Sequence, residues 1–237
     1  MWALVWKSGG LAVARPSSGE GTSAATGARP AIGVGGELTV RCFGDGDPLY
    51  AEYHDLEWGR PVVDEQGLYE RICLEGFQAG LTWRLILSRR PLLRQAFAGF
   101  QPDAVAGFTV ADIEAILALP GMIRHRGKIA AAVDNARATL ALRSSGLGLA
   151  KVVWAHRPPT AAPRSLGSPP PARTDASAAL ARCLRSHGFR FIGPTNAYAL
   201  MQASGLVNDH GAGCTVHDEV AAAQTAATAR MGGCPAG

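Results

Sequence analysis

The sequence has no apolar run as long as the roughly 18–20 residues that a helix needs to cross a bilayer. It also lacks an alternating apolar and polar run long enough to predict a useful β-strand. Its five cysteines are an odd number spread over 237 residues, which argues against a disulfide framework. These absences exclude a membrane-spanning class and a disulfide-stabilised secreted class, and they favour a reducing compartment, which we take to be the cytoplasm.

Composition is otherwise that of a globular protein. Apolar residues make up 47% of the chain, which is ordinary for a folded domain, and 237 residues are enough for a substantial core. The formal net charge of +4 permits nucleic-acid binding without demanding it. We expect a monomer with one folded domain and no association with membranes.

Domain boundaries follow shifts in composition. Residues 1–37 are rich in Gly, Ala, Ser and Pro and are predicted to be a disordered N-terminal extension. Residues 38–217 form the predicted domain. Within it, residues 157–172 are rich in proline and are predicted to form a surface loop. Residues 218–237 are rich in Ala, Thr and Gly and are predicted to be a flexible C-terminal tail.

The periodicity of the domain predicts an all-α fold of many short helices. Pro48 is placed to open the first helix, and Asp64 is placed to cap the second. Pro91 is expected to separate two helices, because proline removes a helical hydrogen bond. The predicted spans after the first helix are 65–79, 82–89, 91–98, 102–106, 110–117, 128–140, 175–187 and 195–203.

Residues 74–83, LEGFQAGLTW, place a single carboxylate, Glu75, in a run of apolar and small residues. The ordinary interpretation is an amphipathic helix with Glu75 in solvent, since ionised carboxylates are seldom buried without a partner. Tyr53, Trp58 and Trp83 are the nearby aromatic candidates to line a pocket for a flat ligand, although core packing accounts for most aromatic residues.

Residues 119–128, LPGMIRHRGK, combine a glycine-containing turn with basic side chains at the start of a helix. Free backbone N–H groups at a helix start bind phosphate well, and Arg124, Arg126 and Lys128 would add charge. With Gly121 in the turn, the segment looks like a diverged helix-hairpin-helix. The alternative is a solvated basic helix face with no ligand.

Two Cys/His pairs lie near the two ends of the predicted domain, Cys42 with His54 and His210 with Cys214. Two thiolates and two imidazoles form a closed tetrahedral set of the kind that holds structural zinc. The pairs are far apart in sequence, so a buried cysteine and hydrogen-bonded histidines remain the alternative. Asp209 is a candidate to orient His210, and His217 is a possible substitute ligand.

Four strings occur in one order: YHDLEWG (residues 53–59), LEGFQAGLTW (74–83), IRHRGKI (123–129) and GLVNDH (205–210). Together they resemble the bacterial 3-methyladenine DNA glycosylase I family over residues 41–214, with a poor match near residues 140–175. The resemblance implies a helix-hairpin-helix DNA glycosylase fold whose zinc site joins the two ends of the folded region. It also implies a monofunctional glycosylase of base excision repair that releases 3-methyladenine from double-stranded DNA.

The resemblance assigns roles to individual residues. Glu75 would recognise the cationic base, Tyr53 and Trp83 would stack on it, and Gly80 and Leu81 would form the wedge that fills the gap left by the flipped nucleotide. The zinc ion would be held by Cys42, His54, His210 and Cys214.

The chain departs from the family near its first ligand. The gap between Cys42 and His54 is one residue shorter, and Gly44 stands where the family has tryptophan. Either Phe43 substitutes for that side chain or one wall of the pocket is missing. The alternative function is therefore a non-catalytic nucleic-acid-binding module on the same scaffold, and a zinc-stapled structural protein is a more distant third.

Overall fold

The computed structural model describes residues 31–32 and 38–232, so the predicted N-terminal extension lies almost entirely outside it. The predicted helical fold is confirmed in this part of the chain. Two short strands, β1 (Ala31–Ile32) and β2 (Leu38–Thr39), pair antiparallel. The α-helices are α1 (Pro48–Leu56), α2 (Glu65–Gln78), α3 (Trp83–Ala96), α4 (Pro102–Ala106), α5 (Val110–Ala118), α6 (Arg126–Ser144), α7 (Leu149–Trp154), α8 (Asp175–Ser186), α9 (Pro194–Ala203) and α10 (His217–Gly232).

Helix α2 is the centre of the core. It begins where the Asp64 side chain accepts a hydrogen bond from the Gly67 N–H at 2.7 Å, as the sequence predicts for an N-cap. It packs against α3, α6, α7 and α9, and Leu68, Tyr69 and Ile72 are fully buried. Burying each side chain of this size contributes about 1.5–3 kcal/mol, so α2 is fixed firmly along its length.

Helix α3 corrects the prediction that Pro91 separates two helices, because it runs unbroken through that residue. Proline in a helix interior costs about 3 kcal/mol. Leu87 and Leu93 are buried on either side of Pro91, and the buried Arg90 guanidinium donates to Glu70 at 2.7 Å. These contacts hold both halves of the helix against α2 and offset the missing hydrogen bond.

The segment after residue 217 also differs from the predicted flexible tail. His217–Gly232 forms α10, and Val220 and Ala227 on one of its faces are fully buried. Gln224 donates to the carbonyl oxygens of Gly59 and Val207 at 2.8 and 3.0 Å. The abundant alanine that suggested fraying instead favours a helix. Val220, Gln224 and Ala227 hold this helix against the rest of the domain.

Among the described residues, no helix is long and apolar enough to cross a membrane. The proline-rich residues 157–172 contain no helix and are mostly exposed. They are joined to the end of the domain by a parallel bridge between Ser165 and Ala212. Helices α5 and α6 are separated by a short turn at residues 119–125.

Candidate base pocket, metal centre and nucleic-acid interface

A cavity of about 570 Å³ opens between α1, the junction of α2 and α3, the end of α9 and the proline-rich loop. A volume of this size suits a small organic ligand. The predicted pocket residues Tyr53, Trp58, Glu75 and Trp83 all line it. Its other principal lining residues are Phe43, Tyr50, Gln78, Ala199, Gln202 and Asp209, together with residues 164–165 and 167–170 of the loop.

The Glu75 carboxylate is the most unusual group in this cavity. It lies in the third turn of α2 and is only 3% exposed, which overturns the interpretation of a solvated carboxylate. Its Oε2 atom has no hydrogen-bond partner among the residues that the structure describes. Burial raises the pKa of the Glu75 carboxyl to about 8, and the positive charge of Arg71, one turn earlier, opposes that shift. An unpaired buried acceptor of this kind can bind a cationic or hydrogen-donating ligand.

The aromatic rings of Tyr53 and Trp83 line the same cavity as Glu75. Tyr53 on α1 is 4% exposed, and its ring centroid lies 5.4 Å from that of Trp83 at an interplanar angle of 55°. Trp83 is the first residue of α3, after the Thr82 cap, and its Nε1 atom lacks a partner among the described residues. Burial raises the pKa of the Tyr53 hydroxyl far above its usual range, so this side chain stays neutral.

Phe43 occupies the wall that the sequence left in doubt. Its ring packs edge-on against Trp58 and His54 at centroid distances of 4.9 Å each, and it lines the cavity. The neighbouring Gly44 has φ +100°, and a Cβ there would lie 2.9 Å from the Ala51 backbone nitrogen. A large side chain at position 44 is therefore excluded by the backbone itself, and Phe43 supplies aromatic surface instead.

Four side chains from the two ends of the domain meet beside this wall. The donor atoms of Cys42, His54, His210 and Cys214 all lie within 4.8 Å of one another. Cys214 Sγ is 3.4 Å from His210 Nδ1 and 3.5 Å from His54 Nε2, and Cys42 Sγ is 3.9 Å from His210 Nδ1. This group can hold a metal ion. His217 stands apart from it, with Nδ1 bonded to Asp218 at 2.8 Å.

The outer nitrogens of both histidines are held in place. His54 Nδ1 lies 2.8 Å from Asp55 Oδ1, and His210 Nε2 lies 3.0 Å from the carbonyl oxygen of Trp58. These partners favour the tautomers in which His54 Nε2 and His210 Nδ1 carry the lone pairs that a metal needs, and in this structure His54 Nε2 accepts from the Cys42 N–H at 3.2 Å. The sequence analysis missed Asp55, although its place next to His54 was a usable signal.

Asp209 does not orient His210 as predicted. Its carboxylate accepts from the Tyr198 hydroxyl at 2.8 Å and from Gln202 at 2.7 Å. It also pairs with Arg164 at 3.3 Å, and the Arg164 guanidinium donates to the carbonyl oxygens of Ser168 and Asp209. Asp209 thus anchors the proline-rich loop that forms one side of the cavity, a role that no local pattern in the sequence indicates.

A groove lies between the α2–α3 junction and the α5–α6 turn. It is lined by the predicted residues Gly80, Leu81, Gly121, Arg124 and Lys128, together with Arg89. Gly121 has φ +80°, and a Cβ there would lie 2.9 Å from the Arg89 guanidinium. Leu81 is 37% exposed. The groove therefore presents an apolar side chain opposite a glycine turn, with basic groups beside it.

The three predicted basic contacts differ in their surroundings. Arg124 is exposed. Arg126 is exposed and pairs with Glu114 at 2.6 Å. Lys128 is only 7% exposed, and its ammonium donates to the carbonyl oxygens of Phe77 and Ala79. The structure therefore gives Lys128 a different role from the predicted phosphate contact, because its charge points into the protein.

Known proteins are similar to this chain in sequence and in fold. A family model described as methyladenine glycosylase matches residues 43–217. A protein of Haemophilus influenzae named DNA-3-methyladenine glycosylase is 44% identical over 177 residues, which cover 73% of this chain and 95% of that protein.

Solved structures of proteins with this name are also similar to the chain. A crystal structure of a 3-methyladenine DNA glycosylase I is 46% identical, with a TM-score of 0.72, and the match covers 75% of this chain and 99% of that one. A structure described as the basis of 3-methyladenine recognition by the Staphylococcus aureus enzyme is 31% identical, with a TM-score of 0.71 and coverages of 74% and 95%. The chain therefore belongs to the methyladenine glycosylase family.

Proposed function

We propose that this chain is a monofunctional DNA glycosylase of base excision repair, which hydrolyses the N-glycosidic bond of 3-methyladenine in alkylated double-stranded DNA. The observation that carries the proposal is the buried, unpaired carboxylate of Glu75 in an aromatic cavity. Leaving such a group without a partner costs stability, and a cationic base would pair with it. The relatives described above carry the name of this activity.

The cavity has complementary groups for a purine. Glu75 Oε2 is an acceptor and Trp83 Nε1 is a donor, and both lack partners among the described residues. The rings of Tyr53 and Trp83 supply the surfaces on which a flipped base stacks. A base methylated at N3 carries a positive charge that neutral adenine lacks, and this charge favours ionisation of the Glu75 carboxyl beside it, so the site prefers the damaged base.

Cleavage of this glycosidic bond requires little acid catalysis from the protein. Protonation is unnecessary, because the methylated base already carries a positive charge that weakens its glycosidic bond. Binding of that base beside Glu75 stabilises the reacting state electrostatically. Water then attacks the sugar, the free base leaves, and an abasic site remains.

The hairpin region contains no evident nucleophile for a covalent mechanism. Lys128 is bonded to two backbone carbonyls, which leaves its amine unavailable for Schiff-base chemistry. Asp134, the acid on α6, is partly exposed and pairs with Arg190 at 2.6 Å. Both observations support a monofunctional enzyme.

The groove supports binding to double-stranded DNA. In this proposal the α5–α6 turn acts as a helix-hairpin-helix, and backbone N–H groups at the start of α6 would contact phosphate. Exposed Arg124 adds a salt-dependent charge contact. Leu81 stands opposite this turn, where an apolar side chain can enter the base stack.

We also propose that the four-residue cluster holds one structural zinc ion through Cys42, His54, His210 and Cys214. Tetrahedral zinc with bonds of about 2.3 Å to sulfur and about 2.0–2.1 Å to nitrogen places unlike ligands about 3.6 Å apart. The sulfur-to-nitrogen distances of 3.4–3.9 Å agree with that spacing. Bound zinc would supply cross-linking between the domain ends rather than chemistry on the base.

The test is release of free base from methylated duplex DNA, measured by chromatography. The purified protein should release 3-methyladenine and leave abasic sites without cutting the strand. Glu75→Gln should release it about 10–100-fold more slowly, because a hydrogen bond to a charged partner contributes about 1.5–3 kcal/mol. Glu52→Gln, an exposed position on α1, is the matched control and should behave as wild type.

A folded wild-type protein that binds this DNA and releases no base would favour the non-catalytic binding module. That alternative rested on the altered residues Phe43 and Gly44. Phe43 lines the cavity and packs on Trp58. Of the two alternatives at this wall, the one in which Phe43 substitutes is therefore supported, and this favours the enzyme.

A further inference from the structure

Lys128 lies in the first turn of α6 and is buried, with 7% of its surface exposed. This is an unfavourable place for a cation, because the first turn of a helix carries the positive end of the helix dipole. Burial also lowers the pKa of the Lys128 ammonium. A charge kept here against both effects requires a specific compensating partner.

That partner is the end of α2. The Lys128 ammonium donates to the carbonyl oxygen of Phe77 at 2.8 Å and to that of Ala79. These carbonyls belong to the last turn of a helix, where backbone oxygens lack helical partners and carry the negative end of the dipole. Lys128 therefore satisfies two otherwise unpaired acceptors and joins α6 to the end of α2.

The residues directly after these carbonyls are Gly80 and Leu81. Gly80 has φ +78°, a conformation in which glycine is favoured, and the Leu81 N–H donates to the Gln78 carbonyl oxygen at 2.6 Å. The tight turn leaves the Leu81 side chain 37% exposed in the groove. The direction of Leu81 thus depends on the short segment to which the Lys128 ammonium is bonded.

We propose that Lys128 is a positioning residue, which sets the place of the Leu81 wedge relative to the phosphate-binding turn before α6. The inference rests on the proposed function, since it concerns how the same site extracts its base. The hairpin fixes the position of the DNA backbone on the protein. The hydrogen bonds of Lys128 in turn fix the position of Leu81 relative to the hairpin. Without them the wedge and the phosphate contact move independently, and the target base leaves the stack less readily.

A dependence on base pairing separates this role from a general loss of structure. An oligonucleotide with a single adenine is methylated and annealed to one of two complements. One complement places thymine opposite that adenine, and the other places an abasic analogue there. Extraction of an unpaired base costs less, so a variant with a misplaced wedge is penalised mainly on the paired duplex.

The variant is Lys128→Met, which removes both hydrogen bonds and keeps a long apolar side chain. The expected result is a loss of about tenfold or more in single-turnover rate on the paired duplex and less than about threefold on the duplex with the abasic analogue. Leu81→Ala should show the same pattern. Lys151→Met, at an exposed position on α7, is the matched control and should leave both rates unchanged.

An equal loss on both duplexes, or no loss on either, would overturn the proposal. If Lys128→Met does not fold, Lys128→Gln takes its place, because its amide still donates to one of the two carbonyls and should give a smaller loss with the same pairing dependence. A wild-type protein that releases no base from either duplex would refute the proposed function itself, which keeps the two failures distinct.

Discussion

Replacement of Glu75 by glutamine should make the protein more stable, and by an amount that grows with pH. The carboxyl has an ordinary pKa of 4.5, which burial raises to about 8 in the folded protein. Between these values the folded state binds more protons than the unfolded state, so stability falls as pH rises through that window. Glutamine has nearly the same shape and stays neutral throughout, so the variant does not share this loss.

The size of the effect follows from the two pKa values. Linkage between protonation and folding gives a loss on the order of 3 kcal/mol for the wild type at pH 7, relative to a group that never ionises. A domain of this size changes its melting temperature by roughly 2–4 °C per kcal/mol. The melting temperature of Glu75→Gln should therefore exceed that of the wild type by only roughly 2–3 °C near pH 5 and by roughly 6–12 °C near pH 7.

Thermal unfolding followed by circular dichroism at pH 5, 6, 7 and 8 measures this directly. Both proteins contain the same Cys/His cluster, so its own titration cancels in the difference between them. Glu52→Gln should follow the wild type at every pH, because Glu52 is exposed. Parallel curves for wild type and Glu75→Gln would show that Glu75 titrates as a solvated carboxylate, which would refute the argument from burial.

Three further changes test other parts of the molecule. Cys214→Ser should lower zinc content, measured by atomic absorption, and melting temperature together, because metal binding is linked to folding; Cys183→Ser, outside the cluster, should retain both. Val220→Ala should destabilise the domain by about 1–3 kcal/mol in denaturant titrations if α10 is docked, and an unchanged midpoint would contradict that docking. Arg124→Ala should reduce the slope of log affinity against log salt by about 1, whereas the exposed Arg182→Ala on α8 should not.

The sequence predicts most helices because their signals are local. Asp64 caps α2, Thr109 caps α5 in a reciprocal capping box, and both types of residue favour that position for reasons contained within one turn. The prediction fails at Pro91, where the local cost of proline is real but contacts from α2 override it. No property of α3 alone could reveal that Arg90 would be buried against Glu70.

Predictions for the site divide in the same way. The residue types at Cys42, His54, His210 and Cys214 suggested a cluster, and the structure brings them together. The predicted role of Lys128 differs from the structure because a lysine close to arginines in the sequence suggests that all these side chains lie on one exposed surface. Its direction is decided by the carbonyls of α2, some 50 residues earlier in the chain, and such long-range partners leave no periodic mark in the sequence.

The Cys/His cluster and the cavity are supported by the same segment of the chain. The Arg164 carbonyl oxygen accepts from the Ala212 N–H at 2.7 Å, and its guanidinium reaches Asp209, the residue before the ligand His210. Residues 209–214 therefore contain two of the four cluster side chains, His210 and Cys214, and anchor the loop that lines one side of the cavity. A metal at the cluster would fix this segment, so it would support the shape of the cavity wall as well as the stability of the domain.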